Sequence, residues 1–101
     1  MGSDTSIEVV HNMAARRFQA EVAGHRAVSE YIALPDRIIF THTEVPRALE
    51  GKGVGSALVR AGLAYAQAQE MQVVPLCPYV AGFMARHPAW QDLLAPGYQV
   101  G

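Results

Sequence analysis

Residues 45–56, VPRALEGKGVGS, decide the fold of this chain and carry its clearest functional signal. They join an apolar, strand-like stretch over residues 37–45 to an amphipathic helical pattern that starts near Val54. Glycines at alternate positions 51, 53 and 55 let successive backbone N–H groups converge without an intervening side chain. The helix behind them adds its free first-turn N–H groups and the positive end of its dipole. Strand, glycine loop and helix therefore predict an anion site suited to a phosphate or a diphosphate.

Composition predicts one small folded domain. The chain has 101 residues, half of them apolar and 17% charged, with a formal net charge of −1. We expect a single domain over residues 5–96, with tails at 1–4 and 97–101. The lack of a basic excess argues against a nucleic-acid partner, and no apolar stretch is long enough to span a membrane. The single cysteine excludes an internal disulfide and is typical of a reducing, cytoplasmic setting.

The N-terminal half has the pattern of an antiparallel meander. Alternating apolar and polar side chains and Gly, Pro or Asp turns are typical of short half-buried strands. In the strand before the loop, simple alternation places Ile38, Phe40, His42 and Glu44 on one face. Strands are predicted over residues 7–10, 17–22, 26–34 and 37–45.

The period changes after the glycine loop. Apolar residues at helical spacing predict a helix over residues 54–70, and the apolar run 72–76 predicts a short strand that Pro75 interrupts. Pro78 suits the first position of a second helix, with Cys77 in the capping position. Strand, helix, strand in that order implies a parallel pair joined by a right-handed crossover. The fold class is therefore α+β: an antiparallel meander followed by a βαβ unit.

The loop and its flanks resemble the GNAT superfamily of N-acetyltransferases. The segment EGKGVG, residues 50–55, is similar to the superfamily's acyl-CoA pyrophosphate loop, Gln/Arg-x-x-Gly-x-Gly/Ala. HTEVP before it, and CPY and RHP after it, are similar to short, single-domain members of about a hundred residues. Together the resemblance covers residues 42–94. It implies a GNAT-like fold that lacks the N-terminal helices of full-length members.

The resemblance implies a cofactor and a place for it. Acetyl-CoA is the expected cosubstrate, held at its pyrophosphate mostly through backbone N–H groups, and its thioester is expected between two splayed strands. Val45 then belongs to one wall of the cleft, and Leu76, Cys77 and Tyr79 lie near the other. The residues expected to bind the pyrophosphate are Gly51, Lys52, Gly53, Val54, Gly55 and Ser56.

Two positions depart from the superfamily pattern. Glu50 stands where members have Gln or Arg, so its carboxylate must point away from the anion or pair with Arg47 or Lys52. Met84 stands where many members have a tyrosine that protonates the departing thiolate, and a thioether has no proton to donate. Cys77, Tyr79 or water are then the candidate proton sources.

Four residues are candidates for the chemistry: His42, Glu44, Cys77 and Tyr79. His42 and Glu44 are two apart on a strand, about 7 Å between Cβ atoms, so either could accept a proton from an amine. Orienting the loop is an equally good role for that pair. A cysteine at a helix N-terminus can be a reactive thiolate, but free cysteines are more often small buried hydrophobes.

Three functions fit these residues. The first is direct acetyl transfer from acetyl-CoA to an amine, either a small molecule or a peptide. The second is a non-catalytic CoA or acyl-CoA binding module, and the third is a ping-pong acyl carrier through Cys77. No metal is expected, because His11 and His25 lack ligand-like spacing. Exposed edge strands make a homodimer plausible.

Overall fold

A five-stranded mixed sheet organises the molecule. The computed structural model describes residues 7–101, so the predicted tail 1–4 and residues 5 and 6 of the predicted domain lie outside it. The strands lie in chain order across the sheet, antiparallel except for the last pair, β4 and β5, which are parallel. The strands are β1 (Val10–Asn12), β2 (Arg17–Val22), β3 (His25–Ala33), β4 (Arg37–Glu44) and β5 (Gln72–Pro75).

Two helices follow the strands of the parallel pair. Helix α1 spans Val54–Ala68 and connects β4 to β5, and helix α2 spans Pro78–Arg86 after β5. Short 3-10 helices occupy Arg47–Leu49 before α1 and Pro88–Leu93 after α2. The α+β class, the meander and the βαβ unit predicted from the sequence are confirmed. The edge strand was predicted too early, over 7–10; pairing with β2 begins only at Val10.

The core fills one face of the sheet. Phe18 on β2 and Phe40 on β4 point to α1, where Gly62 lets the helix approach the Phe40 ring closely; a Cβ there would come within 2.8 Å of it. Helix α2 joins the same buried cluster through Val80, Phe83 and Met84. Because these side chains alternate along the strands and recur at helical spacing, the amphipathic patterns account for the core.

A small aromatic group closes the core beneath β1. The His11 ring stacks on Phe18 at 4.1 Å between centroids, and its Nε2 shares a 2.6 Å hydrogen bond with the Tyr31 hydroxyl. Tyr65 of α1 meets the His11 ring edge-on. Burial lowers the pKa of His11, whereas burial and the nearby Tyr65 raise the pKa of Tyr31. Both side chains are therefore favoured in their neutral forms.

A β-bulge in β4 makes the predicted faces wrong for the residues that follow it. Phe40 pairs with Tyr31, but the next pair is His42 with Glu30, so Thr41 is an extra residue on β4. The bulge reverses the alternation. Thr43 consequently points inward, and His42 is exposed instead of sharing the buried face of Phe40.

The parallel pair opens at the same level. The β4–β5 ladder ends where Phe40 pairs with Pro75, which has no N–H to continue it. Beyond that point the Cys77 N–H donates to the Phe40 carbonyl at 2.9 Å, and Leu76 turns out into solvent. The end of β4 and the start of α2 therefore border a cleft whose far end meets the glycine loop.

Candidate functional site

The glycine loop leaves the first turn of α1 open. Gly51 and Gly53 have φ near +78° and +79°, a conformation that L side chains rarely adopt. Gly53 is the N-cap of α1 and no side chain caps the helix. The first backbone bond into the helix is from Ala57 N–H to the Gly53 carbonyl. Within residues 7–101, the N–H groups before Ala57 in this turn have no protein acceptor, which is the arrangement that binds anions at helix ends.

A cavity of about 290 Å³ lies at this turn. It brings together five of the residues predicted to contact the cofactor, from the β4 wall and from the loop. It also includes Leu49 and Tyr79, which the pyrophosphate motif does not contain. The lining residues are Val45, Leu49, Glu50, Gly51, Gly53, Val54, Gly55 and Tyr79.

Lys52 and Ser56 do not line this cavity. The Lys52 N–H donates to the Leu49 carbonyl at 3.3 Å, so it belongs to the turn that shapes the loop. Lys52 lines a second cavity of about 360 Å³ with Ile7, Val22 and Val54, and Val54 is common to both cavities. Lys52 is therefore a neighbour of the cavity at α1 and not part of its lining.

Tyr79 forms the opposite wall of the site. A Cβ added to Gly55 would overlap the Tyr79 hydroxyl, so a larger residue at position 55 would have to displace the phenol that lies against the helix. This close packing is a second reason for Gly55, in addition to ligand approach. The sequence motif placed Tyr79 near the wall but could not reveal this contact, since it joins residues 24 positions apart in the chain.

Cys77 fastens α2 to the sheet. Its thiol is 2% exposed and donates to Thr43 Oγ1 at 3.4 Å, and Thr43 Oγ1 lies 3.0 Å from the Oγ of the fully buried Ser29. Cys77 occupies the N-cap position as predicted, but its side chain makes no capping hydrogen bond. No sequence pattern indicated Thr43 and Ser29, because only the bulge turns the Thr43 side chain toward Ser29 and Cys77.

His42 and Glu44 form an exposed pair at the end of β4. Their Nε2 and Oε1 atoms are 3.5 Å apart, and their side chains are 56% and 72% exposed. The predicted proximity is therefore present. Neither residue lines the cavity at the glycine loop.

The remaining candidates have structural roles. Met84 is fully buried in the core, so no proton donor stands at that position. His87 stacks on Phe83 and its Nδ1 lies 2.8 Å from the Phe83 carbonyl, so it holds the end of α2. In the described part of the chain, no three His, Cys, Asp or Glu residues lie close enough to hold a metal ion. Between residues 7 and 101, no helix is long and apolar enough to cross a membrane.

An uncapped helix N-terminus beside a parallel strand pair that ends at Pro75 characterises this α+β domain. The chain belongs to the GCN5-related N-acetyltransferase family, whose model matches residues 17–93. It is similar to Protein NATD1 of Bos taurus, with 32% identity over 90 residues that cover 86% of this chain and 80% of that protein. The Protein NATD1 sequences of Gallus gallus and Homo sapiens are each 31% identical over 90 residues, covering 86% of this chain and 82% and 80% of those proteins.

Proposed function

We propose that this protein is an acetyl-CoA-dependent N-acetyltransferase that transfers the acetyl group directly to an amine. The observation that supports this most strongly is the open cavity at the uncapped N-terminus of α1, in a chain of this family. The diphosphate of CoA would accept hydrogen bonds from the N–H groups of Val54, Gly55 and Ser56. Val45 would flank the chain that leads to the thioester.

The chemistry follows from the two sides of β4. An amine approaching the exposed face would lose a proton to Glu44 or His42, and its nitrogen would attack the thioester carbonyl. The C–N bond forms as the C–S bond breaks, and the CoA sulfur leaves as a thiolate that takes up a proton. We assign to this step the proton that the nitrogen sheds as the amide forms, carried by water, since the Cys77 thiol is buried and already donates to Thr43.

Burial of Cys77 favours direct transfer over a covalent intermediate. An acyl carrier needs an accessible thiolate, whereas this thiol is 2% exposed and hydrogen-bonded to Thr43. We expect iodoacetamide to alkylate native Cys77 more slowly than a model thiol, with or without acetyl-CoA. Intact-mass spectrometry after mixing with acetyl-CoA should show no added acetyl group. A stable acetyl adduct on Cys77 would instead establish the ping-pong route.

The central test is binding followed by turnover. Calorimetry with acetyl-CoA should show a single site per chain, and release of free CoA should then be measured against a panel of small amines and peptides. Replacing both candidate bases, with His42→Ala and Glu44→Gln together, should lower turnover strongly while changing acetyl-CoA affinity less than twofold. Absence of acetyl-CoA binding would refute the proposal.

A non-catalytic CoA-binding module is the second candidate. The buried Met84 favours it, because helix α2 has no tyrosine at the position where many family members protonate the thiolate. This candidate predicts tight acetyl-CoA binding with no CoA release for any amine. A reducing cytoplasmic setting, in keeping with the free thiol, suits either candidate.

A homodimer would form most readily through β1. The outer edge of β5 is covered in part, because the Ala95 N–H donates to the Val73 carbonyl and Leu94 bridges to Val73. β1 is the other edge of the sheet. Unpaired edges are the common route by which sheets associate. Sedimentation of wild type and Val10→Lys, in parallel, would test a dimer through this edge, since Val10 is an exposed residue of β1.

A further inference from the structure

The Tyr79 side chain has no role in the core. It is 41% exposed, its hydroxyl lies against Gly55, and its ring forms part of the cavity wall. In the part of the chain that the structure describes, no protein group hydrogen-bonds to this hydroxyl. A phenol held over the first turn of a helix, with a free O–H facing an open cavity, is placed to contact whatever occupies that cavity.

The fold fixes this placement. Two hydrogen bonds from Cys77, one from its backbone N–H to Phe40 and one from its thiol to Thr43, hold the start of α2 against β4. Pro78 then sets the first helical residue, so Tyr79 projects back toward α1. Gly55, with no side chain, leaves the space that the ring fills.

The electrostatics of the cavity select the class of partner. Among the described residues that line the cavity, Glu50 alone is charged, so an anion there meets a carboxylate as well as the N–H groups of α1. A neutral O–H donor adds a hydrogen bond to an anion without attracting the Glu50 carboxylate into an ion pair. Neither His42 nor Glu44 lines this cavity, which separates Tyr79 from the residues assigned to proton transfer.

We propose that Tyr79 donates a hydrogen bond to the diphosphate of CoA and completes the anion site begun by the backbone of α1. This inference rests on the proposed function, and it replaces the alternative in which Tyr79 protonates the departing thiolate. Gly55 and Tyr79 then act together, since the missing side chain of Gly55 leaves the space that the Tyr79 hydroxyl occupies.

The direct test removes only the hydroxyl. Tyr79→Phe should weaken CoA binding about five- to tenfold by calorimetry, the range expected for a hydrogen bond to a charged group in a partly open site. Tyr98→Phe is the matched control, because Tyr98 is equally exposed and lines none of the described cavities. Binding of S-acetylpantetheine, which lacks the diphosphate, should be the same for Tyr79→Phe and wild type in NMR titrations.

A double-mutant cycle tests the unit formed with Gly55. Gly55→Ala should weaken CoA binding in the wild-type background by displacing the ring, and much less in a Tyr79→Ala background where the ring is absent. Equal CoA affinity of Tyr79→Phe and wild type would overturn the inference while leaving the proposed function intact. An equal loss for S-acetylpantetheine would also overturn it, because the contact would then be with the pantetheine arm. A wild-type protein that binds no CoA would refute both proposals.

Discussion

Helices α1 and α2 start alike in topology and differently in chemistry. Each comes after a strand of the parallel pair, but the N-cap of α1 is Gly53 in a left-handed conformation and the N-cap of α2 is Cys77 in an extended one. The first turn of α1 keeps free N–H groups at a cavity. The start of α2 is anchored to the sheet, because Cys77 donates to Phe40 and Thr43, and Pro78 has no N–H to offer. The difference teaches that glycines leave room for a ligand at one helix start, whereas Cys77 and Pro78 fix the position of the other.

Removing the contacts that anchor the start of α2 should have the largest effect, and the effect should be on stability. Thr43→Val keeps the shape of the side chain but removes the acceptor of the Cys77 thiol and the partner of buried Ser29. We expect the free energy of unfolding to fall by about 2 kcal/mol, the typical penalty for orphaned buried polar groups. Urea denaturation followed by circular dichroism measures it.

The matched control lies on the same strand. Thr41 is exposed, and its hydroxyl donates to the Glu30 carbonyl at 3.3 Å. Thr41→Val should therefore change stability by about 0.5 kcal/mol or less. Equal losses for the two variants would show that the Ser29–Thr43–Cys77 chain does not hold α2 in place.

Breaking the open end should affect ligand binding first. Gly53→Val forces a β-branched residue toward a φ of +79° and disturbs the free N–H groups of α1. Acetyl-CoA affinity should fall at least tenfold, about 1.4 kcal/mol, by calorimetry. Gly24→Val is the control: Gly24 has φ +81° with equally open space, but it lies in the β2–β3 turn.

Both variants should lose similar thermal stability, and only Gly53→Val should lose affinity. If Gly24→Val weakens acetyl-CoA binding as much as Gly53→Val, the loss reflects destabilisation and the loop has no special role in binding.

Local chemistry explains how much of this contrast the sequence predicts. The glycines at 51 and 53, the position of Pro78 and the N-cap place of Cys77 each depend on a few neighbouring residues, and the structure agrees with these predictions. The βαβ order follows from the change of hydrophobic period at Val54. These features can be predicted without knowledge of the tertiary structure, because each follows from the backbone conformations that glycine and proline allow.

The missed features all depend on contacts distant in the chain. The bulge at Thr41 arises from pairing with β3, and a sequence reader who applies strict alternation puts His42 on the wrong face. The hydroxyl of Ser29 and the phenol of Tyr79 acquire their meaning only from Thr43 and Gly55. The alternation of apolar and polar residues in β4 does not indicate that Thr41 is an inserted residue. The glycine motif does not indicate that Tyr79 packs against it.

Removing the charge of Lys52 should weaken acetyl-CoA binding less than Gly53→Val does. Lys52 lines the second cavity and not the one at α1, so Lys52→Ala should weaken acetyl-CoA binding about two- to threefold and flatten its salt dependence. Arg26→Ala, which removes the same charge from an exposed pair with Glu21, should leave both quantities unchanged. A loss for Lys52→Ala that persists at high salt would indicate a direct contact.

Glu50 should give the smallest effect, and its sign is informative. The sequence leaves two directions open: a carboxylate near the diphosphate opposes binding, whereas one paired with Arg47 or Lys52 shapes the loop and supports it. In the structure Glu50 is exposed and lines the cavity, and none of the ion pairs among residues 7–101 includes it. Glu50→Gln should therefore tighten acetyl-CoA binding by about twofold or less, as expected for an exposed charge.

The control for Glu50 stands beyond the other end of α1. A helix of 15 residues is about 22 Å long, more than two Debye lengths at physiological salt, so Glu70→Gln should leave affinity unchanged. The gain for Glu50→Gln should also vanish as salt is raised, since screening removes the repulsion that Glu50 exerts in the wild type. If Glu50→Gln instead weakens binding at every salt concentration, the carboxylate supports the loop. The glycine loop before α1 would then depend on a side chain for its conformation, just as the start of α2 depends on Cys77 for its position.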